Sequence, residues 1–165
     1  MNIDAFSLTI GFSIGGVLGY LLKTLIENKM ARDRDTQNRN ITIFNNAAKE
    51  FSDIIHIELK DIYPIPVNWP HNIDMYFRER FPILQSAIDK FSGHLSKREK
   101  ENFDMAWHLY RLGKEGRDID QQYYGQYQSG KSTTAFYGKE ITEIIDGKKN
   151  LKHNVDKLLS FAKQK

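Results

Sequence analysis

Hydrophobic positions fall into two regimes along the chain. From Ala5 to Leu22 the residues AFSLTIGFSIGGVLGYLL carry no charge over eighteen positions, and Thr24, Leu25 and Ile26 extend the apolar stretch past Lys23. A helix of about 20 such residues is long enough for a hydrocarbon core of about 30 Å, and a lysine near its end reaches the headgroups. The pattern therefore predicts a transmembrane helix over 5–26 after a tip of residues 1–4. Residues 27–40 alternate in sign and hold almost no core-forming side chains, which predicts a polar stalk continuing the helix. From 41 to 165 the pattern becomes that of a soluble helical domain.

Within that domain Ile41, Phe44, Ala48, Phe51, Ile55 and Ile62 recur in steps of three, four or seven, one face of an amphipathic helix to about Leu59. A short strand in IIHIELKDI is the competing reading. The run YPIPVNWPHN holds three of the four prolines and interrupts regular structure. Beyond it, Asp74 is expected to cap a short helix to Arg80. Pro82 is expected to begin the next helix, carrying Ile83, Leu84, Ala87, Ile88 and Phe91 to a stop at Gly93. Ser96-Lys97-Arg98-Glu99 is a capping box, opening a helix with Phe103, Ala106, Trp107 and Tyr110 inward and an end near Gly113. A polar loop follows over 113–132, long for a compact domain. A helix is predicted from Thr133 or Thr134 to Ile145, a turn at Asp146-Gly147, and a last helix striped by Leu151, Val155, Leu158 and Ala162. The expected fold class is all-α: one N-terminal transmembrane helix followed by a small irregular helical bundle.

Composition sharpens this picture. Mean hydropathy is −0.56 despite the apolar opening, so the remainder is strongly hydrophilic. The absence of cysteine removes disulfides, thiolate chemistry and cysteine-based zinc sites. Charge is segregated. Lys23, Lys29, Arg32, Arg34 and Arg39 follow the apolar run and no Lys or Arg precedes it, which predicts an uncleaved cell-membrane anchor with its N-terminus out and its domain cytoplasmic. From Lys148 to the end six lysines, Lys148, Lys149, Lys152 and Lys157 among them, face a single aspartate, whereas residues 40–147 carry 13 basic and 16 acidic groups. The stalk residues Lys23, Lys29, Arg32 and Arg34 and the four tail lysines are thus candidate membrane-surface groups, each contributing about 1 kcal/mol next to an anionic leaflet. Nucleic acid is the disfavoured polyanion, because aromatic interleaving is missing from the tail.

Several motifs carry candidate chemistry. Gly11, Gly15 and Gly19 repeat every fourth residue, the ridge through which helices in lipid pack closely, and point to a homo-oligomer. Gly125-Gln-Tyr-Gln-Ser-Gly130-Lys131-Ser132 satisfies the letter of the phosphate-cradling loop. That loop needs a buried strand before it and a helix after it, and DIDQQYY cannot form the strand. The histidines, His56, His71, His94, His108 and His153, show no metal-ligand spacing. Arg117, Asp118, Asp120, Tyr123 and Tyr124 in the long loop form a candidate partner surface, since tyrosine offers contact area at low entropic cost. No catalytic residue, metal or cofactor is assigned.

The runs NWPHNIDMYFRERFPILQSAIDKF and FDMAWHLYRLGKEGRDIDQQYY resemble an uncharacterised group of short bacterial proteins with one N-terminal membrane span, a similarity covering roughly residues 40–165. It implies a helical domain behind an anchor and brings no active site with it. The functional expectation is a non-enzymatic interaction or scaffold module at the inner face of the membrane. Its partners are the bilayer, an unidentified protein and a second copy of itself. The alternative is a membrane-perturbing effector that oligomerises through the glycine ridge.

Overall fold

The structure is a computed structural model that describes residues 5–113, 122, 124–136 and 139–164, with side chains placed for 20, 22–113, 122, 124–131, 142 and 144–164. It is mostly helical, with one two-stranded sheet. Helix α1 runs Ala5–Glu58, α2 Ile73–Ser92, α3 Lys97–Leu112 and α4 Gly147–Leu159; a 3-10 turn at Gly125–Tyr127 precedes strands β1, Gly130–Phe136, and β2, Lys139–Ile145. The chain divides into two units, Met1–Ile43 and Phe44–Lys165.

In the first unit the backbone is helical from Ala5, through the stretch predicted as span and stalk. Thr24 and Thr36 return their hydroxyls to the carbonyls four residues back, at 2.9 Å each. Leu22, Leu25, Ile26 and Met30 are exposed. Among the described residues no helix is long and apolar enough to cross a membrane. Most of the expected span lies outside that set, because the side chains of 5–19 and 21, the positions of Gly11, Gly15 and Gly19 included, are not described.

The second unit is built on the stripe the periodicity marks. Phe44, Ala48, Phe51 and Ile55 on α1 are buried together with Phe77, Leu84, Ala87, Ile88 and Phe91 on α2, Phe103, Ala106, Trp107 and Tyr110 on α3, and Leu151, Val155 and Leu158 on α4. Each such large side chain contributes about 1.5–3 kcal/mol by leaving water. Aromatic rings knit the helices. Phe51 stacks on Phe91 with centroids 4.8 Å apart, and Phe103 meets both edge-on at 5.6 and 5.5 Å. Ser96 and Glu99 form the expected capping box, and Gly113 ends α3 with a φ of 72°, open to glycine at little cost.

Two expectations are corrected. Residues 73–92 form one helix rather than two. Asn72, not Asp74, caps it by accepting from the Met75 amide at 3.0 Å, while Asp74 takes Arg78 Nε at 2.6 Å and Pro82 lies inside the helix. Phe77 before the proline and Leu84, Ile88 and Phe91 after it share one buried face, so packing carries the helix past a residue that in isolation costs about 3 kcal/mol. The second correction adds a small hairpin to an otherwise helical fold. Instead of a helix from Thr133 or Thr134 to Ile145, β1 and β2 pair antiparallel in a register running from Gly130 opposite Ile145 to Phe136 opposite Lys139. Thr133, Thr134, Ile141, Thr142, Ile144 and Ile145 are β-branched; such residues lose χ1 freedom in a helix and suit a pleated strand.

The hairpin is inserted between two tightly apposed points. A Cβ on Gly147 would overlap the Tyr127 carbonyl, so α4 starts where only glycine fits. The Gly147 amide also donates to Ser129 Oγ at 3.1 Å, and Asp146 caps α4 by accepting from the Lys149 amide at 3.1 Å. Replacing Gly147 with Ala is expected to lower stability by about 1–3 kcal/mol through overpacking against backbone, read as a fall in the midpoint of chemical denaturation at unchanged slope.

Candidate functional site

The break at residues 63–72 leaves α1 and returns to α2 as a loop laid against α4. Its base is fixed from below: Ile62 and Tyr63 are buried, and the Tyr63 hydroxyl donates to Asp156 Oδ1 at 2.7 Å. Asp156 Oδ2 accepts from Lys152 Nζ at 2.6 Å. Further along the loop the half-buried Trp69 ring has Lys148 Nζ 5.8 Å from its centroid. Lys148, Lys152 and Asp156 stand four residues apart on one row of α4, so the loop is tied to that row at both ends.

Part of the loop's backbone is satisfied locally. Pro64, Pro66 and Pro70 have no N–H, and the amides of Val67 and Asn68 both donate to the Asp61 carbonyl at 3.0 Å. Asn72 closes the loop as the cap of α2. Between these points Ile65 and Val67 stand 73% and 74% exposed, among the most exposed large apolar side chains described. An open cleft at the α2 end of the loop is lined by Trp69, His71, Asn72, Gln128, Ser129 and Lys148.

The electrostatics of the loop base are set by Asp156. Partial desolvation pushes its carboxyl up, but the hydrogen bonds from Lys152 and Tyr63 together with the charges of Lys152 and His153 outweigh that, and its pKa falls below the ordinary 3.8. On the other side of the same bond, burial and the carboxylate push the Tyr63 phenol well up. Burial likewise raises the phenols of Tyr110 and Tyr127 deep in the core. Tyr127 donates to the Tyr110 carbonyl at 2.8 Å and accepts from Asn154 at 3.0 Å, so its polarity is spent on holding α3 to α4. Among the described residues the Tyr110 hydroxyl is buried without a hydrogen-bond partner.

The basic candidates are all exposed. Lys23 lies 3.9 Å from Glu27, and Lys29, Arg32 and Arg34 follow it in the first unit. Lys148, Lys149, Lys152 and Lys157 lie on α4, Lys157 with its ammonium 5.9 Å from the Phe161 ring. The candidate partner surface is corrected at one position: Tyr124 is only 1% exposed, with its ring 4.8 Å from that of Phe77, because the return of the chain under α2 needs an aromatic filler there. Arg117, Asp118, Asp120 and Tyr123 lie outside the described residues. The phosphate-loop mimic has the reverse of the required order, a 3-10 turn at Gly125–Tyr127 leading into a strand that holds Lys131 and Ser132. His56 donates through Nδ1 to the Ser52 carbonyl at 2.7 Å, and among the described residues no three His, Asp or Glu side chains are grouped to hold a metal ion.

Sequence reasoning took 63–72 only as a break. Ile65, Val67 and Trp69 alternate there with prolines, in a stretch that cannot enter a helical core, and that interleaving is the signal that marks them as surface.

Because the Asp156 carboxyl titrates lower in the folded chain than in the unfolded one, its stabilisation is present above pH 3.8 and is lost as pH falls below it. Asp156→Asn and Tyr63→Phe are each expected to flatten the acid limb of a stability-against-pH profile followed by helical circular dichroism. An unchanged limb in both would refute the assignment.

Set against known proteins, the chain matches no family model, no curated sequence and no solved structure, so its function is argued from the geometry above.

Proposed function

We propose that this chain is a single-pass membrane protein, with residues 5–26 crossing the bilayer and the N-terminus outside, whose helical domain is a non-enzymatic docking module at the inner face. The observation that carries the reading is the run from Ala5 to Leu22, eighteen residues without a charge, followed closely by Lys23, Lys29, Arg32 and Arg34. The helical backbone from Ala5 onward supports it, since every amide of a span must be satisfied within the segment. The exposure of Leu22, Leu25 and Ile26 supports it too, as these side chains gain by facing acyl chains rather than water. In the domain, the Tyr127 hydroxyl, the Trp107 indole N–H and the Asn154 amide are committed to internal bonds, which suits a rigid platform with function on its surface.

A second reading has its own support. On a helical backbone Gly11, Gly15 and Gly19 fall on one face, the arrangement through which spans associate, and an assembled ring of such helices would leak ions. The resemblance to short bacterial membrane proteins fits either reading.

Two measurements test these proposals. Alkaline extraction of membranes from cells making the full chain is expected to leave it in the pellet, and crosslinking in mild detergent is expected to recover a stoichiometric protein partner. Release into the supernatant would overturn the anchor. Recovery of self-oligomers alone, with growth arrest on overexpression that Gly15→Leu abolishes, would move the assignment to the effector.

A further inference from the structure

We infer that the proline loop and the start of α4 form a site for the surface of an anionic bilayer, with Ile65 and Val67 entering the headgroup boundary and Lys148 and Lys149 meeting lipid phosphates. The inference rests on the anchored reading for one point only, that a bilayer is always within reach.

Three observations converge on it. The first is exposure: Ile65 and Val67 project at 73% and 74% from a loop whose folding they do not serve, since its base is held by Tyr63 and Trp69. The second concerns the backbone. An amide without a partner resists leaving water, which keeps most loops out of apolar surroundings. Here three prolines have no amide proton to strand, and the Asp61 carbonyl already holds those of Val67 and Asn68, so fewer amides oppose shallow entry of the loop tip than in an ordinary loop, while its carbonyls can stay at headgroup level. The third is charge. Trp69, an aromatic of the kind enriched at bilayer boundaries, lies against the Lys148 ammonium, and Lys149 is adjacent. Of the two acids nearby, Asp156 is bonded to Lys152 and Tyr63 and Asp146 caps α4 by accepting from the Lys149 amide, so Lys148 and Lys149 outnumber the one carboxylate beside them.

Apolar tip, boundary tryptophan and neighbouring lysines are the chemistry of shallow insertion. A protein partner would require a larger complementary face, about 800 Å² on each side for a stable complex, and two projecting aliphatic side chains do not supply it.

The test uses the full chain reconstituted into phosphatidylcholine vesicles with or without phosphatidylglycerol, their acyl chains brominated near the headgroups to quench tryptophan. The chain has two tryptophans, and Trp107, 5% exposed, serves as the internal reference while Trp69 reports the loop. Quenching is expected in the phosphatidylglycerol vesicles. It is expected to fall about twofold or more in Ile65→Ser/Val67→Ser, and to drop to the level of neutral vesicles in Lys148→Glu/Lys149→Glu. Emission equally bright with and without brominated lipid in anionic vesicles would overturn the inference, and is what a loop that docks a protein instead would give. Alkaline extraction of the same vesicles reads the anchor independently, so a chain that stays in the bilayer with Trp69 unquenched defeats this inference and leaves the anchor standing. Thermal melting of the serine variant is expected to match the parent, because both positions lie outside the core.

Discussion

Tyr127 holds the second unit together at a place where three segments meet. Its hydroxyl bonds the last turn of α3 through the Tyr110 carbonyl and receives Asn154 from α4, while its own carbonyl occupies the space beside Gly147. The preceding Gln126 donates a second hydrogen bond to each of the carbonyls of Leu109 and Tyr110, which already accept from the Gly113 amide and the Tyr127 hydroxyl, and its own carbonyl takes Asn150. This clamp draws together the two ends of the β1–β2 excursion, so the chain can leave and re-enter the helical core at one point. Since α4 is positioned by the clamp, the row of Lys148, Lys152 and Asp156 that receives the proline loop depends on it as well.

The parts of this architecture that could be read in advance are those governed by local rules. Phe44, Ala48, Phe51 and Ile55 mark the inner face of α1 by spacing alone, Ser96 and Glu99 announce the start of α3, and Leu151, Val155 and Leu158 stripe α4. The remainder is decided by tertiary context. Pro82 argues locally for a helix start, yet the continuous apolar face from Phe77 to Phe91 overrides it. Residues 133–145 hold enough apolar and charged positions to mimic a helix, and only the density of β-branched side chains separates the two outcomes. Tyr124 and Tyr127 sit in a polar glycine-rich run that reads as solvated loop, and nothing within that run discloses that both rings are filling the space beneath Phe77.

The candidate site was the least legible feature, for a related reason. Its two halves, residues 63–72 and α4, are far apart in sequence and are joined through single contacts, Tyr63 to Asp156 and Trp69 to Lys148. The lysines of α4 are visible as an excess of charge, but charge alone does not say what stands beside it. The contact with an apolar loop turns a basic helix face into a surface of mixed character.

The bonding of Val67 and Asn68 to Asp61 carries a consequence for how this surface can change. The loop keeps its path through main-chain groups and prolines, leaving the side chains at 65 and 67 without a role in specifying it. Drift or deliberate redesign at those two positions can therefore retune what the surface adheres to while folding is left alone, separating adhesive from architectural duty within ten residues.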